Sequence, residues 1–106
     1  MNRLRARIDS NQPALVKFIR SLGMTYQHTH QLPGCLDGII GYRGIDQRVE
    51  IKDPSKPPSG RRLTDDEKAT FELWRGRKPI VIETESDVED LMKVINREVG
   101  NGYELP

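Results

Sequence analysis

The chain has 106 residues, of which 31% are charged and 35% are hydrophobic, and its formal net charge is +1. This length predicts one domain with a single core of two or three layers, to which contact with a second copy would add buried area. The small net charge excludes a globally basic surface. Any attraction to nucleic acid therefore has to come from local clusters of cations.

The cysteine content and the distribution of apolar residues bear on the compartment. Cys35 is the one cysteine of the sequence, so it cannot form a disulfide within the chain, and no Cys/His spacing resembles a zinc site. There is no apolar run of about 18 residues and no signal-peptide core. We therefore expect a protein of the reducing cytoplasm that neither spans a membrane nor is secreted.

The first predicted element is a helix preceded by a basic segment. Residues 1–8 carry three arginines and little apolar content, so they form either a basic arm along a phosphate backbone or a solvated terminus. The helix is predicted to follow the cap-type residues 9–11 and to end at Gly23. Pro13 is tolerated in a first turn, and apolar residues recur at helical spacing.

Residues 24–30 alternate as expected for a strand, which places His28 and His30 on one face. This pair either ligates a metal or contacts phosphate, or the two rings are ordinary imidazoles near the entrance of a site. The turn at residues 31–36 then delivers Asp37 to the sheet.

Residues 37–53 contain two β-branched runs that are predicted to pair as a hairpin around Gly44. Asp37 begins the first run. Glu50 and Lys52 lie near the end of the second run and share one face, because successive side chains of a strand point to opposite faces. The hairpin brings the start of the first strand beside the end of the second, so Asp37, Glu50 and Lys52 converge.

Two carboxylates and an amine at one point suit a hard divalent cation. The carboxylate oxygens would hold Mg²⁺ while the lysine faces a substrate phosphate or an attacking water. This arrangement outlines a site for phosphodiester cleavage. The alternative from spacing alone is an aspartate in a turn and an exposed Glu/Lys pair on a strand.

The segment at residues 53–62 contains three prolines and is predicted to be a loop. Its cations Lys56, Arg61 and Arg62 follow the predicted site, where phosphates would approach, so they are candidate nucleic-acid contacts. Arg43 in the hairpin turn is a further candidate. A solvated linker with incidental charge is the alternative for the loop.

The second helix is predicted to start with a capping box at residues 63–67 and to end at Gly76, with Phe71 and Trp74 as its apolar face. Glu67 is therefore explained as the capping partner at the third helical position. The alternative is a role for Glu67 beside the metal.

The last elements are a strand and a helix. Residues 79–83 predict a short buried strand, and residues 86–89 form a second capping box that begins a helix ending at Gly100, before a loose tail at residues 101–106. The order is helix, three strands, helix, strand, helix. It predicts an α/β fold with a mixed four-stranded sheet flanked by helices, in which the last strand joins in parallel.

An aspartate followed by a hairpin and Glu-x-Lys resembles the PD-(D/E)XK nuclease superfamily. Three segments are similar in sequence to its VRR-NUC branch and to small phage proteins of that kind: residues 34–38, 49–53 and 62–67. The similarity extends from about Asn11 to Leu91. It implies a restriction-endonuclease-like αβββαβ core.

The sequence departs from that family at three positions. In the family a proline precedes the first aspartate, a glutamine usually stands at the position of Glu67, and the first helix often supplies an acidic residue. Here these positions hold Leu36, Glu67 and Gln12. Gln12 and Glu67 are therefore expected to be auxiliary site residues, and the departures leave open a nucleic-acid-binding module that keeps the fold without cutting.

The resemblance implies a Mg²⁺-dependent endonuclease that hydrolyses DNA phosphodiester bonds, with Mn²⁺ as a substitute. Asp37, Glu50 and the Ile51 carbonyl would hold the metal, and Lys52 would orient or help deprotonate the attacking water. A structure-specific substrate, such as a junction or a flap, is one expectation, and a bacterial or phage-infected cell is the expected setting.

A homodimer is also expected, because cutting both strands of a duplex needs two sites and the resembling phage-type domains suggest one. Tyr42, Ile45 and Tyr103 are candidate interface residues, or else scattered surface residues.

Overall fold

The computed structural model describes residues 9–32 and 35–100. Its elements, in chain order, are α1 (Gln12–Ser21), β1 (Thr25–His28), β2 (Gly38–Tyr42), β3 (Ile45–Ile51), α2 (Asp65–Leu73), β4 (Ile80–Ile82) and α3 (Glu85–Val99). A short 3-10 turn, Pro58–Gly60, lies in the loop between β3 and α2. The basic arm, the tail with Tyr103, and Pro33 and Gly34 of the predicted turn lie outside the described residues.

The four strands form one sheet in the order β1-β2-β3-β4. β1, β2 and β3 pair antiparallel, whereas β4 pairs with β3 in parallel, as expected for a strand that is reached through a helix. The mixed sheet and its flanking helices confirm the predicted α/β architecture.

The β2–β3 hairpin pairs around Gly44 as predicted, and its register places Tyr42 opposite Ile45 and Gly38 opposite Val49. Arg43 and Gly44 form its two-residue turn, and both have positive φ, at 50° and 83°. Two such residues give a type I′ turn, whose twist matches that of the paired strands.

The core lies between one face of the sheet and the helices α1 and α3, which contact each other. Its most deeply buried apolar side chains, each 0% exposed, are Ile19, Ile40, Val49, Ile82, Val88 and Ile95. Along β3, Val49 and Ile51 belong to this core. Glu50 and Lys52 therefore point to the other face, on which α2 lies.

The N-terminus of α1 differs from the prediction in how Asn11 is used. Asn11 precedes the helix but its side chain makes no capping hydrogen bond. Its Nδ2 instead donates to the carbonyl oxygens of Lys52 and Glu83, each at 3.1 Å. This amide ties the start of α1 to the ends of β3 and β4.

The capping box of α3 was predicted two residues too far along the chain. Thr84 is the N-cap: its Oγ1 accepts from the Asp87 backbone N–H, and the Asp87 carboxylate accepts from the Thr84 N–H. The box begins this early because Thr84, two residues after β4, already has the extended backbone that an N-cap needs.

The predicted apolar face of α2 is not buried. The capping box at Thr64 and Glu67 is present, but none of the nine described residues of α2 is buried. Trp74 lies just past the helix and is 43% exposed, and Leu73 is 75% exposed. The apolar residues cluster at the end of a largely acidic helix, so no continuous stripe is available to pack.

One further expectation about burial was wrong. β4 is an edge strand, so it alternates, and Val81 in its middle is 38% exposed rather than buried. Tyr42 and Ile45 are partly buried and pack against the core, and their place in an interface stays a prediction. Within the described ranges, no helix has the length and apolar character needed to cross a membrane.

Candidate active site

Asp37, Glu50 and Lys52 line one cavity of about 280 Å³, as the hairpin argument predicts. Asp37 directly precedes β2, Glu50 lies in β3 and Lys52 directly follows β3. The other residues that line this cavity are Asp9, His30, Cys35, Lys56, Gly60, Thr64 and Glu67. The cavity therefore combines the end of the central hairpin with the loop before α2 and the first turn of α2.

The backbone of β3 fixes the Asp37 carboxylate. The Ile51 N–H donates to Asp37 Oδ2 at 2.7 Å, and the Asp37 carbonyl accepts from the Thr29 N–H at 2.8 Å. Asp37 is 7% exposed. Its side chain is therefore held at the cavity wall by the same strand that carries Glu50.

Lys52 lies between two carboxylates. Its Nζ is 2.9 Å from Glu67 Oε1 and 3.4 Å from Glu50 Oε2, and the residue is 8% exposed. Its backbone N–H donates to the Ile82 carbonyl at 3.1 Å, which extends the β3–β4 ladder by one residue. The ammonium group is thus held inside the cavity rather than at its rim.

Glu67 is the capping partner that the sequence predicts, and it also contacts Lys52 in the cavity. Its Oε1 accepts from the Thr64 N–H at 2.9 Å, which completes the capping box, and from Lys52 Nζ at the same distance. Because one oxygen makes both contacts, the start of α2 and the position of the lysine are set together.

Four carboxylates line the cavity, and the one of Asp9 pairs with Lys56. The other three surround the single buried ammonium of Lys52, and this imbalance shifts their protonation. Burial, the contact with Glu67 and the charge of Asp37 raise the pKa of Glu50 to about 9. Burial also raises the pKa of Asp37. At Glu67, burial acts to raise the pKa. Hydrogen bonds from Glu50, Thr64 and Lys52 outweigh it, so the pKa of Glu67 is lowered. Without a metal, the raised pKa of Glu50 favours its protonated form at neutral pH.

A divalent cation fits this donor set, because carboxylate oxygens are the ligands that Mg²⁺ prefers and its charge would replace the retained proton. Among residues 9–32 and 35–100, no three His, Cys, Asp or Glu side chains form a ready-made ligand cluster. The expected ligand set contains two side chains, Asp37 and Glu50, together with the Ile51 carbonyl.

The metal-free protein is expected to lose stability as the pH rises from about 5 to about 9. The pKa of Glu50 rises on folding, so this carboxyl contributes fully to the stability of the folded protein below its unfolded pKa of 4.5. The contribution is lost as the pH rises through its folded pKa of about 9. Thermal melts in EDTA across this range measure the effect. Glu50→Gln should flatten the dependence, and an equal slope in both proteins would contradict it.

His30 is buried in the cavity wall with both ring nitrogens lacking a hydrogen-bond partner among the described residues. It is 9% exposed. The sequence placed His28 and His30 near the entrance of the site, and the structure brings His30 into it. Cys35 also lines the cavity, and its position two residues before Asp37 was the signal that could have found it.

Gln12 does not line this cavity. It is 1% exposed and lies beside the Tyr26 hydroxyl, which packs against Gly38. Burial raises the pKa of Tyr26, and the negative charges of Asp37 and Glu50 raise it further. The Tyr26 hydroxyl therefore interacts electrostatically with these two carboxylates. Gln12 is thus separated from the carboxylates by one neighbouring side chain.

Of the predicted nucleic-acid contacts, Lys56 lies at the cavity and pairs with Asp9 at 2.7 Å. Arg61 and Arg62 follow in the same loop but do not line the cavity; Arg61 Nη1 is 3.6 Å from Glu83 Oε2, and Arg62 is exposed.

Arg43 lies at the opposite end of the hairpin from the cavity. Its guanidinium donates to Asn96 Oδ1 and to the Gly100 carbonyl, each at 3.0 Å. The structure therefore does not bring Arg43 together with the other predicted contacts.

The chain was compared with models of known protein families, with curated proteins and with solved structures, and none of them matched it.

Proposed function

We propose that the protein is a Mg²⁺-dependent endonuclease that hydrolyses DNA phosphodiester bonds, with a core of the restriction-endonuclease-like αβββαβ type. The observation that supports this is the convergence of Asp37, Glu50 and Lys52 in one cavity at the end of the β2–β3 hairpin. Carboxylates that share a buried site with an amine are the groups that metal-assisted phosphodiester hydrolysis needs.

In this proposal Asp37, Glu50 and the Ile51 carbonyl hold the metal. When bound, Mg²⁺ polarises the phosphoryl oxygen and makes water a stronger nucleophile at neutral pH. Mn²⁺ has similar ligand preferences and would substitute. The proton on Glu50 has to leave before both of its oxygens are available as ligands.

Lys52 orients the attacking water and offsets charge on the scissile phosphate. Glu67 and Glu50 contact its ammonium group from two sides, which leaves the remaining N–H donor direction for water or phosphate. Glu67 is thus a positioning residue for Lys52, and Gln12 supports the site from behind Tyr26.

DNA would approach over the loop that follows β3. Lys56 lies at the cavity, and Arg61 and Arg62 continue the loop, so contacts to the phosphate backbone fit this surface better than contacts to base edges. Backbone contacts favour a substrate recognised by shape, such as a junction or a flap.

The test is a cleavage panel with duplex, flap and four-way-junction DNA in Mg²⁺, Mn²⁺ or EDTA. We expect cleavage in both metals and none in EDTA. Binding without cleavage in either metal would favour the non-cleaving module, and cleavage in EDTA would overturn the metal-dependent mechanism. Asp46→Asn is the control variant: it removes an exposed carboxylate from the part of β3 that lies far from the cavity, and it should cut like the wild type.

We also propose a homodimer, since two symmetry-related cavities would allow both strands of a duplex to be cut. Light scattering at tens of micromolar should give twice the chain mass of 12.1 kDa. A monomer mass with and without DNA would replace the dimer by an enzyme that nicks one strand.

A further inference from the structure

Two more hollows adjoin the acidic cavity along β1. The first, of about 560 Å³, is lined by His28, His30, Gln31 and Leu32. It shares His30 with the acidic cavity. The second, of about 400 Å³, shares His28 with the first. The three hollows therefore follow one another past His30 and His28, and together they are called the groove.

The far end of this groove is cationic. The second hollow is lined by Lys17 and Arg20 of α1, together with the apolar side chains of Pro13 and Val16. The Arg20 guanidinium donates to the Tyr26 carbonyl at 3.2 Å, which anchors it on β1. Both cations are exposed, so they are available to phosphates.

Among the described residues, the middle of the groove is lined by no Lys, Arg, Asp or Glu, and the ring of His28 is exposed there. Tyr26, His28 and His30 form a ladder of edge-to-face rings, with centroids 4.9 Å and 5.6 Å apart. Leu32 beside them is 56% exposed. Histidine rings and exposed apolar side chains are surfaces on which unpaired bases stack.

We infer that this groove binds an unpaired nucleic-acid strand that continues from the scissile phosphate. The bases lie against His28 and Leu32, and the phosphates reach Lys17 and Arg20. A duplex fits this pattern less well because its base faces are hidden by stacking. The inference rests on the proposed nuclease function and adds that the substrate carries a single-stranded flank.

The test measures binding apart from cleavage. Fluorescence anisotropy in EDTA compares a blunt DNA duplex with the same duplex carrying an unpaired tail at its 5′ or 3′ end. The wild type should bind one tailed duplex about tenfold more tightly than the blunt one. His28→Ala, and separately Lys17→Glu with Arg20→Glu, should reduce this advantage to about twofold or less.

The matched control is Lys93→Glu with Arg97→Glu, a pair of exposed cations on α3 that lie away from the groove. It should leave the tail advantage unchanged. An equal advantage in the groove variants and the wild type would overturn the inference, as would the absence of any advantage in the wild type. Because the substituted side chains are exposed, melting curves should show that all variants remain folded.

Cleavage assays on the same proteins separate the two proposals. Preferential binding of tailed DNA without any cutting would leave the groove in place and refute the nuclease. Cutting of tailed DNA at the wild-type rate by both groove variants would refute the groove and leave the nuclease in place.

Discussion

Asp37→Asn and Glu50→Gln should each reduce DNA cleavage by about a thousandfold or more, because each removes a proposed metal ligand. Both substitutions keep the volume of the side chain. The asparagine also retains an oxygen that can accept from the Ile51 N–H, which binds Asp37 at 2.7 Å in the wild type. Any loss of activity is then a loss of charge rather than a loss of fold.

Calorimetry with Mn²⁺ provides the second readout. Each variant should bind the ion at least about tenfold more weakly, since even residues that only support a ligand contribute at that level. Glu50→Gln should also raise the melting temperature of the metal-free protein at neutral pH, because it removes a carboxylate whose ionisation is unfavourable there. Unchanged Mn²⁺ affinity in both variants would show that the metal binds elsewhere.

Lys52→Met should reduce turnover by about a hundredfold or more while DNA affinity stays within severalfold of the wild type. Methionine keeps much of the buried stem but removes the ammonium group that lies 2.9 Å from Glu67. With this cation gone, the carboxylates attract a divalent ion at least as strongly as before. The variant should therefore combine normal or tighter Mn²⁺ binding with slow chemistry.

Lys68→Met, an exposed substitution on α2, is the control for the loss of a lysine near the site. It should cut at the wild-type rate. If Lys52→Met also cut at that rate, the lysine would have no part in the reaction. Weaker Mn²⁺ binding in Lys52→Met would instead mean that the lysine acts by holding the site together.

The fold was predictable because its main signals are local. The alternation in residues 37–53 and the glycine in their turn were enough to predict that Asp37, Glu50 and Lys52 converge. The turn lies at the other end of this hairpin from the convergent residues, so Arg43 in the turn is separated from the cavity.

The rest of the site depends on contacts between distant segments. Glu67 reaches Lys52 only because the proline-containing loop returns α2 to the end of β3, and no local pattern sets the path of such a loop. The two contacts of Asn11 span 41 and 72 residues, so a cap-type residue before a helix could not reveal them. Likewise, the apolar residues of α2 could not show that none of the described residues of this helix is buried.

The way α2 is attached has a consequence for local unfolding. Polar contacts at its two ends hold this helix: Glu67 meets Lys52 at one end, and Lys78 Nζ donates to the carbonyls of Phe71, Glu72 and Trp74 at the other. Since none of its described residues is buried, little apolar area resists local opening.

Opening of α2 would withdraw Glu67 from Lys52, so a cation or DNA that orders the cavity should slow amide hydrogen exchange throughout the helix. High salt should speed this exchange by screening the same contacts. Exchange in the buried strand β3, which needs global unfolding, should respond less to salt than exchange in α2 does. The rate of amide hydrogen exchange in α2 would then indicate whether the cavity beneath this helix is assembled.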